Sequence, residues 1–279
     1  MCDDVSAASS YNPTMLGYRS DDTSALFVPE GPELVPTVLA VGPWRPDALH
    51  GAAVAALFAA ALGREDMTVA RITVDLGTAV RLHPLRLELE DLGGGRRVQR
   101  RAAVLYDGER AVARATALHV ADRSAAHPGG AGGERPHSVS PPPEPLALLP
   151  ESRAGWPGFE NRAMALHTQR GDDIAFEGWF QLLAPAIAGQ PLTGLQLALS
   201  AADYSSGGTA VMLSLKKWSF MSLDLTVNLT RQAVGDWVGL RADKSTLGEE
   251  GVAIAASVLH DESGVFGHCT QTQLVQPIA

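Results

Sequence analysis

Residues 47–62 read DALHGAAVAALFAAAL. Alanine stands on nearly every side of a helix drawn through them, with Leu49, Val54, Leu57, Phe58 and Leu62 in between. A helix that is apolar all round has no face to offer water, so it must be buried. Its small side chains let a sheet close tightly over it. Asp47 reads as the N-cap, Pro46 suits the approach to the first turn, and Gly63 reads as the stop.

What lies on either side of this helix reads as strand. Ahead of it, short strands are expected at Ser24–Val28 and Thr37–Val41. Behind it, in VARITVDL (69–76), Ala70, Ile72, Val74 and Leu76 share one face and Arg71, Thr73 and Asp75 the other. PLRLELEDL (84–92) alternates in the same way, and Arg96–Tyr106 and Ala111–Val120 complete four strands. Gly93-Gly94-Gly95 and Asp107-Gly108 supply hairpin turns.

The second half of the chain follows the same order. Strands are expected at Asp173–Phe180, Val211–Trp218, Met221–Leu229, Trp237–Lys244, Val252–Asp261 and Val265–Val275, with a helix at Leu192–Ala202. Short matches keep their sequence order: LHG (49–51) with LTG (192–194), TVDL (73–76) with TVNL (226–229), VLYDG (104–108) with VLHDE (258–262), and Thr116 with Thr270. An internal duplication accounts for them. Between the halves, DRSAAHPGGAGGERPHSVSPPPEPLALLP (122–150) has neither helical nor strand period and reads as a linker. The organisation expected is an arm over 1–20, one unit over 21–121, a Pro/Gly-rich linker over 122–159 and a second unit over 160–279.

Composition narrows the function classes. The chain has 279 residues, 46% hydrophobic and 19% charged, which excludes bulk disorder. Its net charge of −9 argues against nucleic acid as the main partner. The uninterrupted apolar run of about 18 residues that a membrane span needs does not occur, and the acidic start MCDDVSAASS does not read as a secretory signal. A cytoplasmic protein is therefore expected. With only Cys2 and Cys269, a disulfide framework and a multi-cysteine metal site are both excluded. His83, His260 and His268 are scattered without HExxH spacing, so neither a metal nor another cofactor is expected. There is no G-x-S-x-G elbow for a serine hydrolase. GGAGG (129–133) lacks the Lys-Ser/Thr of a phosphate loop. The one basic patch is Arg96, Arg97, Arg100 and Arg101.

GPWRPDALHGAAVAALFAAAL (42–62), VARITVDLGTAV (69–80) and ARATALHV (113–120) resemble the N-terminal half of the TesB-like acyl-CoA thioesterases. MSLDLTVNLTRQAVGDWVGL (221–240) and SVLHDESGVFGHCTQTQLV (257–275) are similar to their C-terminal half. The resemblance covers roughly residues 21–121 and 160–279. It implies an α+β double hotdog, two antiparallel sheets each wrapped around a long buried helix. It implies hydrolysis of a fatty acyl-CoA to fatty acid and CoA, with acyl-CoA as the partner and the protein a monomer or a homo-oligomer of double hotdogs. The catalytic residues carried over are Asp203, which activates water, and Ser222 and Gln271, which hold it. The family more often has threonine where Ser222 stands, and bulky residues where Ser205-Ser206-Gly207-Gly208 follow Tyr204, a change expected to alter the pocket. Alternatives are a non-catalytic acyl or acyl-CoA binding protein and an enoyl-CoA hydratase-type enzyme, for which Asp47 and His50 would be the acid–base pair.

The duplication supports the three positions independently. The helix match places Asp203 opposite Ala60, 143 residues earlier; the strand matches place Ser222 opposite Val69 and Gln271 opposite Ala117. Three polar residues in one half face three apolar ones in the other, so packing alone does not require polarity there, and burying it unsatisfied costs about 1–3 kcal/mol. His50 and Gly51 are the expected substrate-binding residues, because free amides at a helix start can meet a thioester oxygen and Gly51 permits close approach.

Overall fold

In the computed structural model of the chain, residues 19, 22, 24–121, 142, 145–149, 157–169, 176–207, 209 and 217–277 are described. The arm over 1–20, most of the linker and the strand expected at Val211–Trp218 fall largely outside them.

The alanine-rich stretch forms α1, Gly51–Leu62, and nine of its 12 residues are buried. Its cap is His50, not Asp47: the His50 ring accepts the Ala52 amide, while Asp47 is turned to Arg45. Ahead of α1, β1 (Phe27–Glu30) and β2 (Glu33–Pro36) form a hairpin, and the strand expected at Thr37–Val41 is a 3-10 turn over Val38–Ala40. Thr37 caps that turn with its own hydroxyl, which a period-2 reading does not register. Behind α1 come β3 (Met67–Asp75), β4 (Arg86–Gly94), β5 (Val98–Asp107) and β6 (Arg110–Ala121).

In the second half, β7 (Ala147–Leu148) lies inside the stretch read as linker and pairs with β8 (Met164–Gln169), a strand the sequence reading did not find. A π-helical turn over Phe159–Ala163 leads into β8. Then follow β9 (Phe176–Leu182), α2 (Gly194–Asp203, capped by Thr193), β10 (Trp218–Ser222), β11 (Asp224–Leu229), β12 (Val238–Leu247), β13 (Val252–Asp261) and β14 (Gly264–Pro277).

Two sheets were expected; the structure joins them into one of 12 antiparallel strands, in the order β4-β5-β6-β3-β11-β14-β13-β12-β9-β8-β7, with β10 beside β14. The joint is β3 against β11. Among the described residues of its own half β3 pairs with β6 alone, so its other edge carries backbone groups that β11 satisfies. Thr73 lies opposite Thr226, its own counterpart in the duplication, with their hydroxyl oxygens 3.1 Å apart. When equivalent residues meet each other, a local twofold axis passes between them. The pairings agree with the duplication elsewhere too. Thr73 pairs with Thr116 as Thr226 pairs with Thr270, and Val69 pairs with His119 as Ser222 pairs with Gln273.

One apolar core runs through both halves, with Leu57, Phe58, Leu62, Phe159, Phe180, Leu199 and Phe266 buried in it. The helices lie side by side with α1's start against α2's end, where the Ser200 hydroxyl donates to the Ala52 carbonyl at 3.3 Å. Phe58 is fully buried in this layer. Phe58→Ala should lower unfolding free energy by about 3–5 kcal/mol, read from the midpoint of urea denaturation.

Candidate active site

The end of α2 meets the start of α1, and that meeting builds the site. Asp203 is the last residue of α2, where a carboxylate opposes the dipole of its own helix. It is buried, and it lies against the N-terminal, electropositive end of α1. Gly51 permits this: a Cβ there would sit 2.8 and 2.9 Å from the two carboxylate oxygens. The close approach that Gly51 was expected to give a substrate oxygen is given to the Asp203 carboxylate.

From the sheet, the buried Gln271 on β14 donates through Nε2 to Asp203 Oδ1 at 2.9 Å and to the Asp203 carbonyl at 3.3 Å. Two residues on and on the same face, the fully buried Gln273 donates through Nε2 to Gln271 Oε1 at 2.9 Å. The directions are forced. A carboxylate only accepts, so Gln271 turns its NH2 to Asp203 and its carbonyl to Gln273. Gln273 therefore fixes the amide that holds the carboxylate.

Of the three expected catalytic residues, Asp203 and Gln271 are thus in direct contact. Ser222 ends β10 opposite Gln273, half-buried on the same sheet face. Among the described residues, no hydrogen bond joins its hydroxyl to Asp203 or Gln271. Two residues of the departure after Tyr204 have a packing role: Ser206 donates to the Asp203 carbonyl at 3.3 Å, and a Cβ on Gly207 would strike the Phe176 ring at 2.7 Å. Cys269 packs against the Ser205 hydroxyl at 3.1 Å, and burial pushes its thiol up to about 12, so it is no nucleophile at neutral pH. Arg96, Arg97 and Arg100 are exposed to solvent.

His50 faces the same carboxylate. Its Nδ1 lies 3.5 Å from Asp203 Oδ2, and its Nε2 lies 3.7 Å from Glu160 Oε1 on the π-helical turn. Phe159 and Tyr204 flank the ring, with centroids 4.7 and 5.6 Å away. Burial alone would lower the imidazole pKa, but the hydrogen bonds and charges of Asp203 and Glu160 outweigh it and push it up to about 9. Sequence reasoning found His50 and missed Glu160 and Gln273. Gln273 was visible as the residue two beyond Gln271; nothing near Glu160 marks it.

A second buried histidine shows the opposite sign. His260 packs edge-on to Trp179 at 4.7 Å and under Gly239, with Glu177 Oε1 4.0 Å from its Nε2. Burial, helped by Arg241 and opposed by Asp261, pushes its pKa down to about 4. Among the described residues, no cluster of three or more His, Cys, Asp or Glu could hold a metal ion.

A helix packed against antiparallel strands, with its end holding a buried carboxylate, defines the chain as an α+β protein of the hotdog class. Models of the acyl-CoA thioesterase N-terminal and C-terminal domains match residues 40–120 and 134–275. The chain belongs to that family, and it is a thioester hydrolase. Solved structures agree on the fold. A protein of Thermobifida fusca YX provisionally named a thioesterase II is 18% identical, covers 92% of this chain and 98% of its own, and has a TM-score of 0.68. A protein with a hot dog fold from Alicyclobacillus acidocaldarius is 16% identical over 93% and 98%, with a TM-score of 0.66. Acyl-CoA thioesterase II TesB2 from Mycobacterium marinum is 15% identical over 81% and 88%, with a TM-score of 0.59. At these identities the likeness concerns fold alone. A search of curated protein sequences finds no match. Among the described residues, no helix is long and apolar enough to cross a membrane.

Two predictions come from this geometry. Gln273→Leu removes the donor to Gln271 without touching Asp203, and should lower kcat by about tenfold or more while leaving KM within a few-fold, read by steady-state thiol release. His260 should make the fold acid-sensitive. Its folded pKa of about 4 lies below the unfolded value of 6.5, so at low pH the unfolded chain takes up a proton that the folded one refuses. Stability should fall between pH 6.5 and 4 by about 3 kcal/mol at most, and His260→Gln should flatten that slope in urea denaturation.

Proposed function

We propose that the chain is a double hotdog, with units over 21–121 and 160–279, that hydrolyses a fatty acyl-CoA to fatty acid and CoA. The observation that carries this reading is the Asp203–Gln271 pair, buried at the start of α1. In the reaction, Asp203 takes a proton from water as the water oxygen attacks the thioester carbonyl carbon. Gln271 holds the carboxylate in place. The tetrahedral intermediate then collapses, the C–S bond breaks, and the proton held by Asp203 passes to the departing sulfur. The products are the carboxylic acid and CoA thiol, and the step requires no redox cofactor or covalent acyl-enzyme.

Ser222, on the same sheet face as Gln271 and Gln273, holds the water from the far side in this reading. His50 and Gly51 shape the substrate side through the helix start. The acyl chain lies among the Leu, Phe and Ala side chains between the halves. A cytoplasmic location and a monomer or homo-oligomer of double hotdogs complete the proposal.

The test is free-thiol release from acyl-CoAs of graded chain length. Asp203→Asn should lower kcat by roughly 10²–10⁴-fold with the fold intact by circular dichroism, and Gln271→Ala should lower it less. Gly51→Ala, whose methyl displaces the carboxylate, should cost up to about 10²-fold. Acyl-CoA binding without turnover in the wild type would favour an acyl-binding protein instead. Full turnover in Asp203→Asn would overturn the assignment of the base.

A further inference from the structure

Asp203 does not stand against His50 alone. The imidazole lies between two carboxylates, Asp203 on its Nδ1 side and Glu160 on its Nε2 side, and all three side chains are largely enclosed. The three come from separate places in the chain: the cap of α1, the end of α2 and the π-helical turn before β8. Glu160 has no counterpart among the sequence-derived site residues. It is not placed to touch a substrate held at Asp203, because the ring stands between the two carboxylates.

We infer that Glu160 is a positioning residue for thioester hydrolysis, which keeps the proton on His50 so that the imidazolium in turn orients the Asp203 carboxylate. Two interactions compete for Nδ1. As acceptor of the Ala52 amide at 3.0 Å it must be unprotonated, and the remaining ring proton then sits on Nε2, facing Glu160. As donor to Asp203 Oδ2 it must carry a proton; the ring is then a cation between two anions and gives up its cap on the Ala52 amide. Glu160 favours both arrangements, since each puts a proton on Nε2. Only the second gives Asp203 a donor on Oδ2 to match Gln271 on Oδ1. With both oxygens held, one lone pair on each remains for water.

Other groups around the ring do not reverse this. Tyr204 and Asp203 face it from α2, and Phe159 and Glu160 from the π-helical turn. On its own approach loop, Asp47 is engaged by Arg45 and lies near Arg81. The two carboxylates hold the ring's pKa at about 9, so the cation persists through neutral pH and is lost on the alkaline side. Its contribution to stability is complete below the unfolded value of 6.5 and disappears as pH rises through 9.

This inference rests on the reading of Asp203 as the base, and the experiment keeps the two separable. The first measurement is the pH profile of kcat/KM for the wild type and Glu160→Gln. The wild type should lose activity on the alkaline side with a midpoint near 9, and in Glu160→Gln that midpoint should fall by about one unit or more while the plateau near pH 6 stays within about threefold. Glu160→Asp should restore part of the shift. A uniformly lower rate with an unmoved midpoint would mean a structural role only and would overturn the proposal. The second measurement needs no turnover: the ¹⁵N shifts of the His50 ring, followed against pH in the whole chain. A wild-type titration midpoint at or below 6.5 would overturn the proposal even if Glu160→Gln failed to fold. Turnover surviving in Asp203→Asn, with the ring titrating near 9, would instead refute the base assignment and leave Glu160's hold on His50 standing.

Discussion

Everything at the site depends on one backbone pairing, β3 against β11. Each strand would otherwise present a bare edge of N–H and C=O groups, and each finds in the other an edge in matching register. Because the residues that meet are duplicates of one another, the pairing imposes a local twofold relation on the two halves. That relation sets α1 and α2 antiparallel, so the start of one helix lies beside the end of the other. Asp203 depends on this arrangement. At the end of its own helix it is unfavourably placed; beside the start of the partner helix it is favourably placed. No single half could supply both the carboxylate and the helix start it rests on.

The electrostatics of the site follow from burial on top of that geometry. His50 and His260 are both almost wholly enclosed, yet they are driven in opposite directions. His260 packs against tryptophan with Arg241 nearby, and its carboxylate neighbours, Asp261 and a Glu177 oxygen 4.0 Å away, do not offset the loss of water, so the ring stays neutral. His50 has a carboxylate at each nitrogen, and the same loss of water is outweighed. Burial by itself therefore says little about charge; the number and sign of the groups sharing the enclosure decide it.

Much of this was legible in the sequence, and the reasons are local. An alanine-rich helix with no polar face, followed by strands of period 2, specifies a helix under an antiparallel sheet. The repeated LHG/LTG and TVDL/TVNL segments locate equivalent positions closely enough that the observed register reproduces the offsets. Asp203 and Gln271 stood out because their duplicates are Ala60 and Ala117. What escaped had no periodic trace. The cap of α1 is a histidine ring rather than the aspartate three residues earlier, because Ala48 and Leu49 each still form a backbone bridge, to Arg81 and Val41, before the helix starts. The continuity of the sheet depends on an edge-to-edge contact that strand patterns do not encode. Glu160 lies on a single turn beside a compositionally irregular stretch, and its partner is 110 residues away in sequence. Only the fold brings them together.

The positions that duplicate the site, Ala60, Val69 and Ala117, have a consequence for inheritance. In an assembly of two identical chains, every substitution is made twice, so an acid useful in one crevice is forced into the other as well. Joining the two copies into a single chain removes that compulsion. One copy can give up its polar groups and become pure scaffold, while the other accumulates buried charge that the scaffold's surplus stability tolerates. The apolar trio in the first half is then the counterpart of the Asp203 cluster in the second: symmetry retained in the backbone and abandoned in the chemistry.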